Sequence, residues 1–561
     1  MRLTIPTLPE RSILTADLVA GLTVAAMLVP QAMAYALLAG LPPEVGLYAS
    51  TVPLVLYAVI GTSRQLAVGP VAIVSLLTAS ALGTVAQEGT AGYVSAAATL
   101  ALLVGAVHLV LGAGRLGFLV RLLSHPVLIG FTTAAALIIG ASQVKHVLGV
   151  SVPRTHHFHD RVWELVQVAP STHLLTFTVG AGAIALMVAL KRWVRAAPAA
   201  LSAVAVTTVA SVVFDLQGRG VAVVGEIPQG LPPLTLPSDL GLVGTLLPAA
   251  LVITMVGFME SIAVGKVYAR RNRYELDSNR ELFGLGLANI GAGLAGGYPV
   301  TGGFSRTAVN ADAGARTKLA GIIAAAIVLV VIVAFTPLFR QLPAATLGAI
   351  VLVAVAKLVD IREMRHVRAV KTSDLITMSV AFVATLALGI ELGIAVAVAA
   401  SLVVVAARMM APHTAVLGQL PGTGIYRNLE RFPDAQRIPG IEVIRFDVSL
   451  SHLNVEFMKR RVARLVEEAP PGLDAVVIDA SGVNDIDTSA VEALDELITE
   501  LGSKGVVVHL AAVKGPVRDV LMRAGLYQRL GDRVHPDVDH AVVALTGPAD
   551  EAEPTEHADQ A

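Results

Sequence analysis

The chain has 561 residues, 55% of them hydrophobic and 15% charged, whereas a soluble protein carries roughly a quarter charged residues. Composition alone therefore makes it a polytopic membrane protein solvated by the lipid bilayer. A formal net charge of -1 gives no ground for nucleic acid binding, and the lack of cysteine excludes disulfides, thiolate metal sites and cysteine catalysis.

The polar start, Met1 to Arg11, does not read as a cleaved leader and runs into the first apolar segment. Apolar segments follow at 14–38, 45–60, 68–85, 93–112, 124–148, 174–190 and 197–214. A Gly- and Pro-rich loop at 215–240 separates them from a second set at 246–268, 282–297, 304–311, 319–335, 347–359, 375–390 and 392–410. The third element of each set is short and follows a break, Leu66-Ala67-Val68-Gly69-Pro70 in the first and Tyr298-Pro299-Val300-Thr301-Gly302-Gly303 in the second. Matching interruptions in two halves predict an inverted repeat, spanning about 12–215 and 244–410. An odd number of crossings per half places Arg64, Lys191, Arg192, Lys266, Arg270, Arg271, Lys357 and Arg365 on the side of the N-terminus, leaving only Lys145, Arg154, Arg161, Arg219 and Arg340 opposite. Basic residues are retained in the cytoplasm, so the N-terminus is expected there.

Beyond residue 411, residues 412–439 read as a polar linker, and 440–547 as a soluble cytoplasmic domain. Strands at 441–448, 475–478 and 506–510 alternate with helices at 454–468, 488–501 and 517–524, which predicts a small α/β domain with both sheet faces covered. Residues 548–561 read as a disordered acidic tail.

A helix that starts inside the bilayer leaves its first N–H groups unpaired and its positive dipole end pointing inward, which suits an anion. Two such starts are expected to meet at the midplane, one at Val68, Gly69 and Pro70, the other at Phe304, Ser305, Arg306 and Thr307. Proline suits a first helical position because its missing N–H needs no partner. An arginine within the membrane is costly and so marks function; the other reading puts Arg306 in a cytoplasmic loop with Arg316 and Lys318. Gln31 and Tyr35 lie four apart beside Pro30, on one helix face, either lining the same pocket or packing between helices. Glu260, inside an apolar span, is a candidate for proton coupling or a structural partner of Arg306. Glu391 reads as a helix N-terminal charge. His108 reads as a packing histidine, with proton relay as the alternative.

Two motifs lose their force in context. Gly291-Ala292-Gly293-Leu294-Ala295-Gly296 fits a dinucleotide pattern but follows no strand, and small-residue helix packing explains it. His156, His157, His159 and Asp160 have metal-ligand chemistry but no second ligand set, so no metal site is expected.

Pro43-x-x-Gly46-Leu47-Tyr48-Ala49-Ser50, continued by Leu56-Tyr57 and Gly61-Thr62-Ser63-Arg64, resembles the signature of the SulP sulfate-permease group of anion transporters, which carry a C-terminal STAS domain. Val45 stands where that signature usually has tyrosine. Val29-Pro30-Gln31, Val68-Gly69-Pro70, Ser124-His125-Pro126 and Arg445-Phe446-Asp447 extend the likeness over nearly the whole chain. The resemblance implies a uracil-permease-like fold of seven plus seven inverted spans, fourteen in all, divided into core and gate domains. It implies a homodimer in the cell membrane that moves anions by elevator-like motion, with a site between the third and tenth spans at the Arg306 position. Substrates in the family include sulfate, bicarbonate, chloride and dicarboxylates. Sodium-coupled bicarbonate members look as if they place an acid and a threonine four apart on the eighth span. Here Val264 follows Glu260, which favours a proton as coupling ion, with an uncoupled channel or uniporter as the alternative. The loop from Asp479 to Ala490 is similar to one that carries a phosphorylated hydroxyl in anti-sigma-factor antagonists, at the position of Thr488. A cytoplasmic regulator could act there, or Asp487, Thr488 and Ser489 could serve as ordinary helix-capping residues.

Overall fold

Proline inside a helix removes one main-chain hydrogen bond and forces a local adjustment, and the first helix, α1 (Arg11–Leu38), carries Pro30 in this way. The computed structural model describes residues 11–118, 124–152, 158–194, 198–236 and 241–547. The polar start up to residue 10, Arg154, His156, His157 and the acidic tail thus lie outside the described residues. The second apolar segment is broken into α2 (Pro43–Tyr48) and α3 (Val52–Ile60). A two-residue strand β1 (Val68–Gly69) then leads into α4 (Ala72–Leu82), followed by α5 (Ala91–Ala113) and α6 (His125–Leu148). The first set closes with α7 (Phe158–Val168), α8 (Leu174–Trp193) and α9 (Ala199–Val213).

The second set begins with α10 (Leu242–Arg271) and α11 (Ser278–Leu294), continues through the two-residue β2 (Thr301–Gly302) into α12 (Phe304–Asp312), and runs on as α13 (Leu319–Val330) and α14 (Ala344–Val355). It ends with α15 (Ile361–Val370), α16 (Thr372–Leu388) and α17 (Ile390–Met410). Every predicted apolar segment contains helix, the second split in two and the third preceded by β1. Among the described residues, nine helices are long and apolar enough to cross a membrane, and Ala72–Leu82, Ala199–Val213 and Thr372–Leu388 are shorter. Two helices were not expected. The polar residues of α7 hide its exposed apolar edge of Trp163 and Val166, and α15, capped by Asp360, is too basic to register as apolar.

Helix packing explains the small residues. A β-carbon on Gly46 would stand 2.0 Å from the Ala32 carbonyl oxygen, so α2 meets α1 with no room for a side chain. Gly291 and Gly293 likewise press against Leu56 and Leu102, where α11 meets α3 and α5. The run that imitates a nucleotide loop is a packing surface.

The chain divides into two compact units, Met1–Ser401 and Leu402–Ala561. In the second, β3 (Thr414–Gln419), β4 (Tyr426–Asn428), β5 (Ile441–Phe446), β6 (Ala475–Asp479), β7 (Val507–Ala511) and β8 (Val534–His535) form one sheet in the order β4-β3-β5-β6-β7-β8. β5 to β8 run parallel, and β3 and β4 pair antiparallel. The segment read as a linker, 412–439, therefore supplies two strands; its polar and proline-rich composition hid short strands lying at one end of the sheet. Helices α18 (Val455–Glu468), α19 (Thr488–Ser503), α20 (Gly515–Arg523) and α21 (Leu526–Leu530) bury Met458, Val462, Leu494, Leu521 and Leu530 on one face. On the other, α22 (Val538–Thr546) packs Val538 and Val542 onto Leu417, Val443 and Val477. With both faces covered, a largely parallel sheet can be apolar throughout, as β6 is.

Candidate functional site

The two breaks come together as an antiparallel pair, Val68 opposite Gly302 and Gly69 opposite Thr301. Side chains lock the pairing. Thr307 Oγ1 accepts from the Ala67 N–H at 3.1 Å, Asn310 Nδ2 donates to the Gln65 carbonyl at 2.9 Å, and Ser261 Oγ accepts from the Gly302 N–H at 2.9 Å. Asn289 grips Val300 through both its N–H and its carbonyl, each at 2.9 Å. Unpaired main-chain groups are not tolerated in hydrocarbon, so this bonding is what allows the chain to leave the helix inside an apolar unit.

From this crossing α4 and α12 depart, and their first turns border a cavity of about 40 Å3, room for a few waters. Val71, Ala72 and Ile73 line it from α4, Gly303, Phe304, Ser305 and Arg306 from α12, and Gln31, Tyr35 and Glu260 from α1 and α10. Ala354 and Leu358 close it. Arg306 is 2% exposed, which places it inside the membrane unit and not in a loop with Arg316. Its Nη1 donates to the Pro70 carbonyl, while Nε and Nη2 have no hydrogen-bond partner among the described residues. Glu260, also buried, has an orphaned Oε2 and forms no ion pair with Arg306, although each feels the other's charge. A guanidinium with spare donors, two helix starts and a sequestered carboxyl thus face one small space. Such donors can hold an oxyanion, and the carboxyl can carry a proton.

Of the residues picked from sequence, Gln31, Tyr35, Glu260, Phe304, Ser305 and Arg306 border the cavity. Val68, Gly69, Pro70 and Thr307 do not; they build the crossing behind it. Gly69 has φ +153, and a β-carbon there would lie 3.3 Å from Arg306 Nη2, so the glycine leaves space for the guanidinium.

Two buried acids escaped sequence reasoning. Glu281 on α11 accepts from Tyr57 Oη at 2.7 Å, Thr62 Oγ1 at 2.6 Å and the main-chain N–H groups of Thr62 and Ser63 at 2.5 and 3.0 Å. Asp17 on α1 accepts from the N–H groups of Arg316 and Thr317 at 2.7 and 3.1 Å, and from the Thr317 hydroxyl. Both carboxylates tie down chain next to the broken elements. The signature stretch Gly61-Thr62-Ser63-Arg64 is therefore a carboxylate cradle, with Arg64 stacked 4.9 Å over the Tyr274 ring.

Elsewhere, His108 is buried and bonds only through Nδ1 to the Val104 carbonyl at 2.8 Å, leaving Nε2 unpartnered. Glu391 lies in the first turn of α17. His159 and Asp160 begin α7, 3.3 Å apart, and among the described residues no three His, Cys, Asp or Glu side chains could hold a metal. In the second unit Asp487, of the three capping candidates, caps α19: its carboxylate accepts from the Ala490 and His452 N–H groups at 2.9 and 2.8 Å, and Thr488 is exposed.

The sulfate permease family pattern matches residues 14–381, and the STAS domain pattern residues 432–541. The chain is 41% identical over 537 residues to sulfate transporter 4.1, chloroplastic, of Arabidopsis thaliana, covering 92% of this chain and 77% of that one. It is 39% identical over 525 residues to a probable sulfate transporter of Mycobacterium tuberculosis, covering 93% of each. Its fold is similar to that of the murine solute carrier 26 family member A9 anion transporter in the inward-facing state, with a TM-score of 0.89 at 24% identity over 97% of this chain and 93% of that one. It is also similar in fold to the transmembrane domain of a cyanobacterium bicarbonate transporter, with a TM-score of 0.62 at 24% identity over 70% and 98% of the two chains. Family pattern, relatives and fold agree: this chain belongs to the sulfate permease family of anion transporters, multi-pass membrane proteins and not enzymes, and carries a STAS domain.

Proposed function

We propose that the chain is a secondary active transporter of a small oxyanion, sulfate first and bicarbonate or a dicarboxylate next, held by Arg306 between the starts of α4 and α12. The observation that carries this reading is the buried, un-neutralised guanidinium, with two free donor nitrogens at a cavity bordered by both helix starts. Charge-assisted hydrogen bonds from such a fork suit a carboxylate or an oxyanion. Sulfate leads because the relatives of Arabidopsis and Mycobacterium carry that substrate in their names.

Glu260 is the proposed proton carrier. It shares the cavity with Arg306 without pairing to it, so a proton on Glu260 would remove one negative charge from the loaded site, leaving it neutral with a monovalent anion on Arg306 and less negative with sulfate. Sodium-coupled bicarbonate transport is the weaker reading, since Val264 offers no oxygen one turn after Glu260. An uncoupled channel or uniporter has no use for a titrating carboxyl. The cavity's small volume supports a site that opens and closes as a core moves against a gate, the elevator-like scheme, in fourteen crossings arranged as inverted sevens. The basic-residue bias supports a cytoplasmic N-terminus and STAS domain in the cell membrane. A homodimer, with regulation through the STAS domain, completes the reading.

Proteoliposomes given external labelled sulfate, bicarbonate or fumarate under imposed proton or sodium gradients test it. Sulfate uptake driven by an inward proton gradient is the expected result. Uptake indifferent to pH but driven by sodium would transfer the case to the sodium reading, and uptake indifferent to both would leave a uniporter.

A further inference from the structure

Lys191 lies in the last turn of α8 and Lys357 just beyond α14, and both line one groove. Arg192 stands beside them on the same groove. Among the described residues none of the three is paired with a carboxylate. Like charges on one groove repel, and more strongly near a low-dielectric slab than in water. The long lysine stems could diverge, yet both converge on one hollow.

Below the three cations the hollow is walled by Ile184, Val188 and Leu352, and it offers about 600 Å3. Val188 is 53% exposed, and Trp193, directly after Lys191 and Arg192 at the end of α8, is 77% exposed. Tryptophan gathers at headgroup depth, so its position marks the groove as crossing from headgroup to hydrocarbon. Cations at headgroup level and an aliphatic wall below them match a phospholipid from end to end. We propose that this groove holds an anionic phospholipid, its headgroup phosphate on Lys191, Lys357 and Arg192 and an acyl chain along Ile184, Val188 and Leu352. A free inorganic anion would answer the charges but leave the apolar wall uncovered. The basic-residue bias puts the groove in the cytoplasmic leaflet, where anionic lipids gather.

The location gives the lipid a lever. Val353, Ala356 and Lys357 border the lipid groove, while Ala354 and Leu358 border the anion cavity. One turn of chain separates the two spaces, so filling the groove fixes one wall of the cavity.

The test uses the purified full-length chain in detergent, titrated with dioleoylphosphatidylglycerol, dioleoylphosphatidylcholine or inorganic phosphate, with binding read from the rise in Tm and by native mass spectrometry. Only phosphatidylglycerol is expected to raise Tm. The variant Lys191→Gln/Lys357→Gln is expected to bind it about 25-fold more weakly, each lysine near the surface contributing about fivefold. Without lipid that variant is expected to be no less stable than wild type, because two like charges on one groove have been removed. Lys191→Arg/Lys357→Arg is expected to keep the lipid, and Lys357→Gln alone carries the same test at about fivefold if the double variant is not recovered. Equal stabilisation by phosphatidylcholine, reproduction of the effect by inorganic phosphate, or undiminished phosphatidylglycerol binding by the glutamine variants would each overturn the proposal. Because the readout is binding, its result is independent of whether the chain moves sulfate.

Discussion

Arg306 and Glu281 are both buried charges, yet they differ in how many partners they have, and that difference sorts function from scaffold. Glu281 has all its partners within the protein: four donors from three residues converge on its carboxylate. Replacing it by glutamine turns an amide against those donors, so Glu281→Gln is expected to destabilise by about 3 kcal/mol, seen as a lower Tm of the detergent-solubilised chain. Arg306 has donors to spare. Arg306→Ala is expected to hold Tm within a few degrees while raising the KM for the anion about tenfold to a hundredfold, the range for a hydrogen bond to a charged group. Arg306→Lys is expected to restore only part of it, because an ammonium lacks the planar fork. A fall in Tm with unchanged KM would make the arginine structural. Gly69→Ala addresses the same guanidinium from behind: the methyl would both strain a backbone at φ +153 and crowd Nη2, so uptake is expected to fall with the chain still folded.

At the scale of elements, the capping of α19 and the edge of the STAS sheet can be tested in the intact chain. Asp487→Ala removes the cap and is expected to cost the STAS unit about 1 kcal/mol, whereas Thr488→Ala is expected to stay within about 0.5 kcal/mol, both read by hydrogen exchange in α19. His509 on β7 meets His535 on β8, Nδ1 to Nε2 at 2.9 Å. Burial, then the neighbouring His535 and Arg533, push His509 down to about 4. An unfolded histidine titrates near 6.5, so between about pH 6.5 and 4 the unfolded state binds the extra proton and stability rises with pH. Protection of the β7 amides is therefore expected to fall as pH drops through that window, by about 1 to 2 kcal/mol since the pair is partly in water, and His509→Gln is expected to flatten the dependence.

Elements also show what could be read from sequence and what could not. The breaks were legible because glycine and proline announce them, and the apolar runs because a membrane helix needs no partner to look like one. Arg306, Glu260, Gln31 and Tyr35 stood out as polar residues in apolar text. Glu281 and Asp17 did not, since what identifies them is a set of donors 219 and 300 positions away. Nor did β3 and β4, whose few residues at one end of a sheet carry too little alternation to separate from a linker.

For the whole molecule the decisive measurement is coupling. If Glu260 carries the proton, Glu260→Gln is expected to retain exchange of anion for anion across a liposome membrane but to lose accumulation driven by a pH gradient. Preserved accumulation in that variant would remove Glu260 from the coupling path. The two units also separate two kinds of defect, since changes in the STAS sheet alter a unit with its own core and are expected to shift regulation or yield before they shift KM.

The crossing of β1 and β2 also bears on how the protein is made. Ala67 and Thr307 are 240 positions apart, so the ribosome delivers the first break long before the segment that satisfies it. Until then the main-chain groups of Val68 and Gly69 have no partner in a bilayer that supplies none. The first half must therefore wait, sheltered by the insertion machinery or held at the interface, and the proposed anion site is absent from every shorter nascent chain. A chain arrested before Tyr298 is expected to leave the Ala67 to Gly69 amides open to exchange, and one arrested well beyond Asn310 to close them.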